Sequence, residues 1–169
     1  DLSRIRGSHL ARMYEEGREE AVLEFHALKH NPLFIAAVTA YWGEGDKLSR
    51  DNVRICNTDP AMIKLFLHFL IYLIDIDKQR IAASLLLYPD LEEAICKEFW
   101  NEAAGLSEHS IRYIKTQVIE GRHKTRRLSY GVCNLNVSSA YFKKKMLVWM
   151  ELLPKELFLM NQEVMRKVV

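Results

Sequence analysis

Ile35-Ala36-Ala37-Val38-Thr39-Ala40-Tyr41-Trp42-Gly43-Glu44-Gly45-Asp46-Lys47 is the stretch whose reading decides the fold. It is a run of small and apolar residues that ends in a carboxylate between two glycines. A helix clad in small side chains lets another backbone approach closely, and a Gly-Glu-Gly exit leaves one acid at the foot of that contact. The helix is predicted over Leu33 to Trp42, with His30-Asn31-Pro32 in front of it and Pro32 suited to its first turn.

Working outward, residues 2 to 30 carry Ile5, Leu10, Met13, Tyr14, Val22, Phe25 and Leu28 at mostly three- and four-residue spacings, an amphipathic helix weakened by Gly7 and Gly17. On the other side, Asn52 to Asn57 alternates polar and apolar as a half-buried strand does. Thr58 or Asp59 then caps a helix with Pro60 in its first turn and Met62, Ile63, Phe66, Leu67 and Leu70 on its apolar face. Arg80 to Tyr88 reads as a strand, with a buried helical continuation as the competing reading. A helix follows from an Asp90 cap to Gly105, then strands over Ser110–Ile119 and Tyr130–Val137. Ser138 or Ser139 caps a closing helix that Pro154 stops, and the tail forms a short extra helix. The resulting expectation is an α+β fold, a mixed or antiparallel sheet covered on one face by helices. The chain divides into an N-terminal linker helix (1–30), a central domain (31–156) and a C-terminal tail helix (157–169).

With 169 residues, 49% of them hydrophobic and 27% charged, the chain can bury one core. Seven glycines and four prolines argue against a low-complexity chain. Cys56, Cys96 and Cys133 are odd in number and lack Cys-x-x-Cys spacing, a pattern of reduced thiols in a cytoplasmic protein. No signal peptide is visible, and the longest apolar stretch, Leu65 to Ile76, is too short to span a bilayer. The first residue is Asp1 rather than Met, so the natural chain is expected to begin earlier. His68, on an apolar helix, reads as a core or groove residue, and His26 with His30 lack a third metal ligand.

The formal charge of +2 hides a segregation. From His109 to Lys145 there are nine Lys or Arg residues against one acid, a local net of +8, whereas Leu91 to Glu108 has five glutamates and one lysine. Two late strands exposing Arg112, Lys115 and Asn134 or Asn136, joined by the cationic loop with Arg122, Lys124, Arg126 and Arg127, read as a ribbon for a major groove or a phosphate backbone.

Position by position, Ala37-Val-Thr-Ala-Tyr-Trp-Gly-Glu-Gly45 resembles the nine-residue signature of the LAGLIDADG homing endonucleases. Gly-Glu-Gly-x-Lys, Asn-Thr-Asp-Pro and Tyr-Gly-Val-Cys are further similar to a group of prokaryotic proteins that often carry an upstream helix-turn-helix. The resemblance implies a LAGLIDADG-like saddle over residues 31–156. It implies a homodimer packed through Ala36, Thr39, Ala40 and Gly43, with Glu44 in the position of the metal-binding acid. Trp42 stands at the sixth position, where the family usually has an aspartate.

Three readings follow. The leading one is a cytoplasmic homodimer that grips duplex DNA without cleaving it, with Glu44 structural, capping a helix end or pairing with Lys47. The second is a Mg²⁺-dependent, site-specific DNA endonuclease with paired Glu44 carboxylates as metal ligands and Lys47 offsetting transition-state charge. The third is an RNA-binding or structural interaction protein.

Overall fold

The computed structural model describes residues 2–119 and 128–168. In chain order the elements are α1 (Leu2–Leu28), α2 (Pro32–Glu44), β1 (Asn52–Asn57), α3 (Pro60–His68), β2 (Ile81–Leu87), α4 (Glu93–Ala103), β3 (Arg112–Val118), β4 (Val132–Ser138) and α5 (Ala140–Val168). The fold is α+β with a mixed four-stranded sheet, as the alternation of helical and strand periods predicts.

Local chemistry sets the element starts. Asn31 Oδ1 accepts from the amides of Leu33 and Phe34 ahead of Pro32, and Asp59 Oδ1 accepts from Ala61 ahead of Pro60. Ser139 Oγ accepts from the Phe142 amide at the head of α5. Helix α4 departs from expectation. It begins at Glu93 without a side-chain cap, because Pro89 and Asp90 lie in a turn closed by the Leu91 amide on the Tyr88 carbonyl.

The sheet order is β1-β4-β2-β3. Strand β4 pairs antiparallel with both β1 and β2, and β2 pairs parallel with β3 across the α4 crossover. This corrects the expectation of a β3–β4 ribbon: β2 lies between those two strands. Aliphatic Leu85, Leu87 and Ile81 need cover, and the central position gives it.

Val53, Ile55, Ile81, Ala83, Leu85, Cys133, Leu135 and Val137 are buried on the helix side of the sheet, with Phe34, Phe66, Phe69 and Trp149 above them. Those rings meet edge-on or tilted, for instance Phe34 on Trp149 with centroids 5.2 Å apart. Each such side chain contributes about 1.5–3 kcal/mol by leaving water.

Helices α1 and α5 are sewn together. Trp149 Nε1 donates to the Ala21 carbonyl at 2.9 Å, Lys145 pairs with Glu24 at 2.6 Å, and Lys29 pairs with Glu156 at 2.7 Å. A Cβ on Gly17 would lie 3.0 Å from the Tyr141 ring, so the glycine that weakens α1 alone lets α1 approach α5. Pro154 does not stop α5. The stripe Trp149, Leu153 and Leu157 stays packed on the core and carries the helix through the missing amide. Helix α5 is therefore continuous across position 156.

Candidate nucleic-acid interface

Because β1, β4 and β2 send alternate residues to the core, their other residues stand on a face that those helices leave uncovered. The register aligns them in rows across the strands. Arg54, Asn136, Ala82 and Arg112 form one row, and Cys56, Asn134, Ser84 and Lys115 form the next. Gln117 pairs with Leu86 in a third row, and a bulge at Ala83/Ser84 brings Lys115 opposite Ser84. Arg112, Lys115, Asn134 and Asn136 thus do come together, through the intervening β2. Small Ala82 and Ser84 separate the longer polar side chains, and Cys56 Sγ contacts Asn134 Oδ1.

One end of this face is held by the exit from α2. Gly45 bridges to Ile55, the Asp46 amide donates to the Arg54 carbonyl at 2.9 Å, and Arg54 Nη2 reaches Asp46 Oδ2 at 2.8 Å. Asp46 Oδ1 accepts the amides of Leu48 and Ser49 at 3.0 and 3.1 Å. The Ser49 amide, with the Leu48 amide, Arg54 and Lys143, holds the Asp46 carboxyl below its ordinary pKa against the opposing effect of burial. Behind it, Tyr41 Oη donates to the Asp46 carbonyl at 2.5 Å, and the buried ammonium of Lys143 donates to Tyr41 Oη at 2.8 Å and to the same carbonyl. Burial pushes the Tyr41 phenol up and the Lys143 ammonium down.

Glu44 is the last residue of α2, exposed and without an ion pair or hydrogen bond among the described residues. Its charge, with that of Asp46, reinforces burial in raising the Cys56 thiol, which Arg54 opposes, so Glu44 lies within electrostatic reach of the polar face. Lys47 is not its partner. Lys47 Nζ donates to the carbonyls of Trp42 and Gly43 at 3.0 and 3.5 Å, capping the negative end of α2.

Helix α2 has two faces. Phe34, Ala37, Val38 and Tyr41 are buried, whereas Ala36, Thr39, Ala40 and Gly43 line an open groove of about 470 Å³ with Met62 and Leu65 of α3. A Cβ on Gly43 would meet nothing within 4 Å.

The basic half of the sequence is divided by the fold. Lys143 is 1% exposed, and Lys145 is 7% exposed between Glu24 and Glu20, so neither stands on the polar face of the sheet. Arg122, Lys124, Arg126 and Arg127 lie outside the described residues. Arg54, Ser84 and Gln117 join the face and were not singled out from the sequence. The Val53–Ile55 alternation around Arg54 is the signal that could have found it. Nothing in the sequence marks Lys143 as buried. His68 packs edge-on to Tyr72 and His109, with centroids 5.2 and 6.0 Å away.

Among the described residues no group of three or more His, Cys, Asp or Glu side chains is placed to hold a metal. Asp46 is committed to Arg54 and two amides, which leaves Glu44 as the free carboxylate at this end of the face. Mg²⁺ keeps several waters and is bound through one or two carboxylates together with phosphate oxygens, so Glu44 would be a single protein ligand from each chain. Among the described residues, no helix is long and apolar enough to cross a membrane. No family model matches the chain, and comparison with curated proteins and with solved structures likewise returns no match.

Proposed function

We propose that this chain is a cytoplasmic, LAGLIDADG-like DNA-binding protein that grips duplex DNA as a homodimer without cleaving it. The observation that carries this reading is the register of Arg54, Asn136 and Arg112 in one row and Asn134, Ser84 and Lys115 in the next, on a face the core helices leave uncovered. Asn and Arg make paired hydrogen bonds to base edges, and Arg and Lys neutralise phosphates. The small-residue face of α2 favours the twofold contact, since an isologous interface of Ala36, Thr39, Ala40 and Gly43 seats one backbone against its copy. Two sheets joined beside their β1 ends would extend the rows over two half-sites.

A salt titration of duplex binding tests this. Every phosphate of B-DNA that a cation neutralises adds about 0.9 to the steepness of log K against log salt, so Arg112→Ala with Lys115→Ala, which removes both cations from each protomer of the dimer, should flatten the slope by up to about 3.6. An unchanged slope and affinity would overturn the assignment of this face. The same slope measured with duplex RNA separates the RNA reading.

The free Glu44 favours a second reading, Mg²⁺-dependent cleavage of a DNA strand, in which a dimer would bring two Glu44 carboxylates together. A randomised duplex library, incubated with and without Mg²⁺, distinguishes the two. Cuts by the wild type that are lost in Glu44→Gln would replace the non-cleaving reading. Retention of DNA by both proteins without cuts supports it.

A further inference from the structure

Away from the polar rows, the exit loop of α2 meets the first turns of α5 and the middle of α1 in an open cavity of about 400 Å³. Its cationic lining is Lys47, Arg50, Lys143 and Lys144, and its apolar wall includes Tyr14 and Leu147. It shares no residue with the rows of the sheet, and no carboxylate is among its lining residues.

The four cations differ in what they have left to offer. Lys143 is occupied by Tyr41 and the Asp46 carbonyl, and Lys47 holds two carbonyls of α2. Arg50 and Lys144 have neither an ion pair nor a hydrogen bond among the described residues, although Lys144 is half-buried. The part-buried Lys29 and Lys97 and the buried Lys145 are each matched by a glutamate, Glu156, Glu93 and Glu24. A half-buried ammonium beside a guanidinium, with two more cations behind, is an arrangement that a dianion relieves. The amides at the start of the 29-residue α5 add to the same positive field, since Ala140 also lines the cavity. The apolar wall suits a ligand that is more than a bare anion. Its volume falls in the range of small-molecule sites, and the Tyr14 ring and Leu147 offer a base a surface to lie against.

We propose that this cavity binds a nucleotide 5′-phosphate, with the phosphoryl group between Arg50 and Lys144 and the base against Tyr14 and Leu147. The phosphoryl group can come from a free mononucleotide or from a nucleotide within a strand, and the assay separates these sources.

Calorimetric titration of the full chain at low salt with adenosine 5′-monophosphate, adenosine and inorganic phosphate is the test. The monophosphate should bind saturably and at least about tenfold more tightly than either fragment, since each half of the cavity contributes. Arg50→Gln and Lys144→Gln should each weaken it by about tenfold, the usual loss for one charge-assisted contact. Tyr14→Ala should weaken the monophosphate and leave inorganic phosphate unchanged. Arg112→Ala with Lys115→Ala should leave monophosphate binding at the wild-type level, so failure of the DNA face and failure of this cavity are told apart. Competition by a 5′-phosphorylated single strand, whose bases are free to stack, assigns the nucleotide to a strand, and absence of competition assigns a free mononucleotide; either result keeps the site. No saturable binding, equal affinity for inorganic phosphate, or undiminished binding in Arg50→Gln with Lys144→Gln overturns the proposal. Neither side chain makes an ion pair or hydrogen bond among the described residues, and Lys144 acts on Glu151 only through its weaker, more distant charge, so a melting temperature close to wild type is expected for both variants.

Discussion

Gly45→Ala isolates the physics of the α2 exit, because the two glycines flanking Glu44 respond to a methyl group in opposite ways. Gly45 has an ordinary φ of −78°, so backbone strain is not the issue. The obstacle is contact. A Cβ there would overlap the Tyr41 carbonyl oxygen and Cδ2 and lie 2.6 Å from Cε2. Tyr41 has nowhere to go. It is fully buried, stacked on Phe66 with centroids 6.0 Å apart, and hydrogen-bonded through Oη to Asp46 and Lys143. Overpacking of this kind costs about 1–3 kcal/mol. Disturbing the buried network of tyrosine, lysine ammonium and Asp46 carbonyl adds about 1–3 kcal/mol more. Gly45→Ala should therefore destabilise by roughly 2–6 kcal/mol, read as a drop of about 5–20 °C in melting temperature for a chain of this size. Gly43→Ala is the matched control. Its Cβ enters open space, and alanine replaces glycine near the end of a helix, so the monomer should be unchanged or gain up to about 1 kcal/mol. Urea unfolding of both variants at low protein concentration decides the matter. A Gly45→Ala protein within about 1 kcal/mol of wild type would refute the tight seating of Tyr41, given that mutational values of this kind carry errors of a few tenths.

Three further outcomes follow from the same contacts. If the chain pairs through α2 as proposed, Gly43→Leu should fill the groove beside Ala36 and Ala40 and yield monomer in sedimentation, whereas a dimer mass in both wild type and variant would remove α2 from the interface. Asp46 has a folded pKa below 3.8, so its contribution to stability is fully present above about pH 4 and is lost as pH falls through the folded value. Asp46→Asn should therefore lower stability near neutrality and shrink the difference from wild type in acid; a difference constant with pH would show that the carboxylate is not held as described. Lys145→Ala should cost about 1–3 kcal/mol in thermal or urea unfolding, since it removes the buried ammonium of a part-buried pair and leaves Glu24, one of whose oxygens already has no partner, facing α5 without its cation. A loss under about 1 kcal/mol, the level of an exposed pair, would refute that burial.

How much of this was legible in the sequence depends on the range of the interaction that decided it. Asn31-Pro32 and Asp59-Pro60 are short-range signals, and the helices they start lie where the caps place them. The Asn52–Asn57 alternation gave β1 to the residue. The order of strands was not legible, because β2 enters between β3 and β4 for the sake of burying Ile81, Leu85 and Leu87, and that is a property of the whole sheet. Pro154 misled for a similar reason: the proline signal is local, and the packing of Leu153 and Leu157 that overrides it is not. The candidate face was legible as composition, since Arg112, Lys115, Asn134 and Asn136 were drawn from charge and alternation. It was not legible as geometry, because what aligns them is register through residues as plain as Ala82 and Ser84. The three lysines at 143–145 show the limit of counting charges. One is committed to Tyr41, one to Glu24, and only Lys144 lines a cavity without a partner of its own among the described residues.

The exit of α2 ties these features into one structural unit. Tyr41 belongs to the buried face of the helix, and its hydroxyl fixes the carbonyl of Asp46. The side chain of Asp46 then fixes both the loop amides of Leu48 and Ser49 and the guanidinium of Arg54 on the polar face. Lys143 closes the circuit from α5, and it does so one residue before Lys144 of the cavity. Three surfaces thus share one anchor: the small-residue face of α2, the polar rows beginning at Arg54, and the cavity behind Arg50. Lys143→Met keeps the length and apolar stem of the side chain while removing the ammonium, so the core stays filled and Tyr41 keeps its own bond to Asp46. Because burial depresses the Lys143 pKa, the folded chain carries the penalty of the charged form at pH values below that folded value, and stability should rise with pH from there toward 10.5. The methionine variant should lack that rise while losing the ammonium's hydrogen bonds, about 1–3 kcal/mol at neutral pH, offset in part by relief from burying a charge. Urea unfolding across the alkaline range measures it. A variant whose stability follows the wild-type pH profile would mean that the ammonium is not buried against Tyr41, and the three surfaces would then lack their common support.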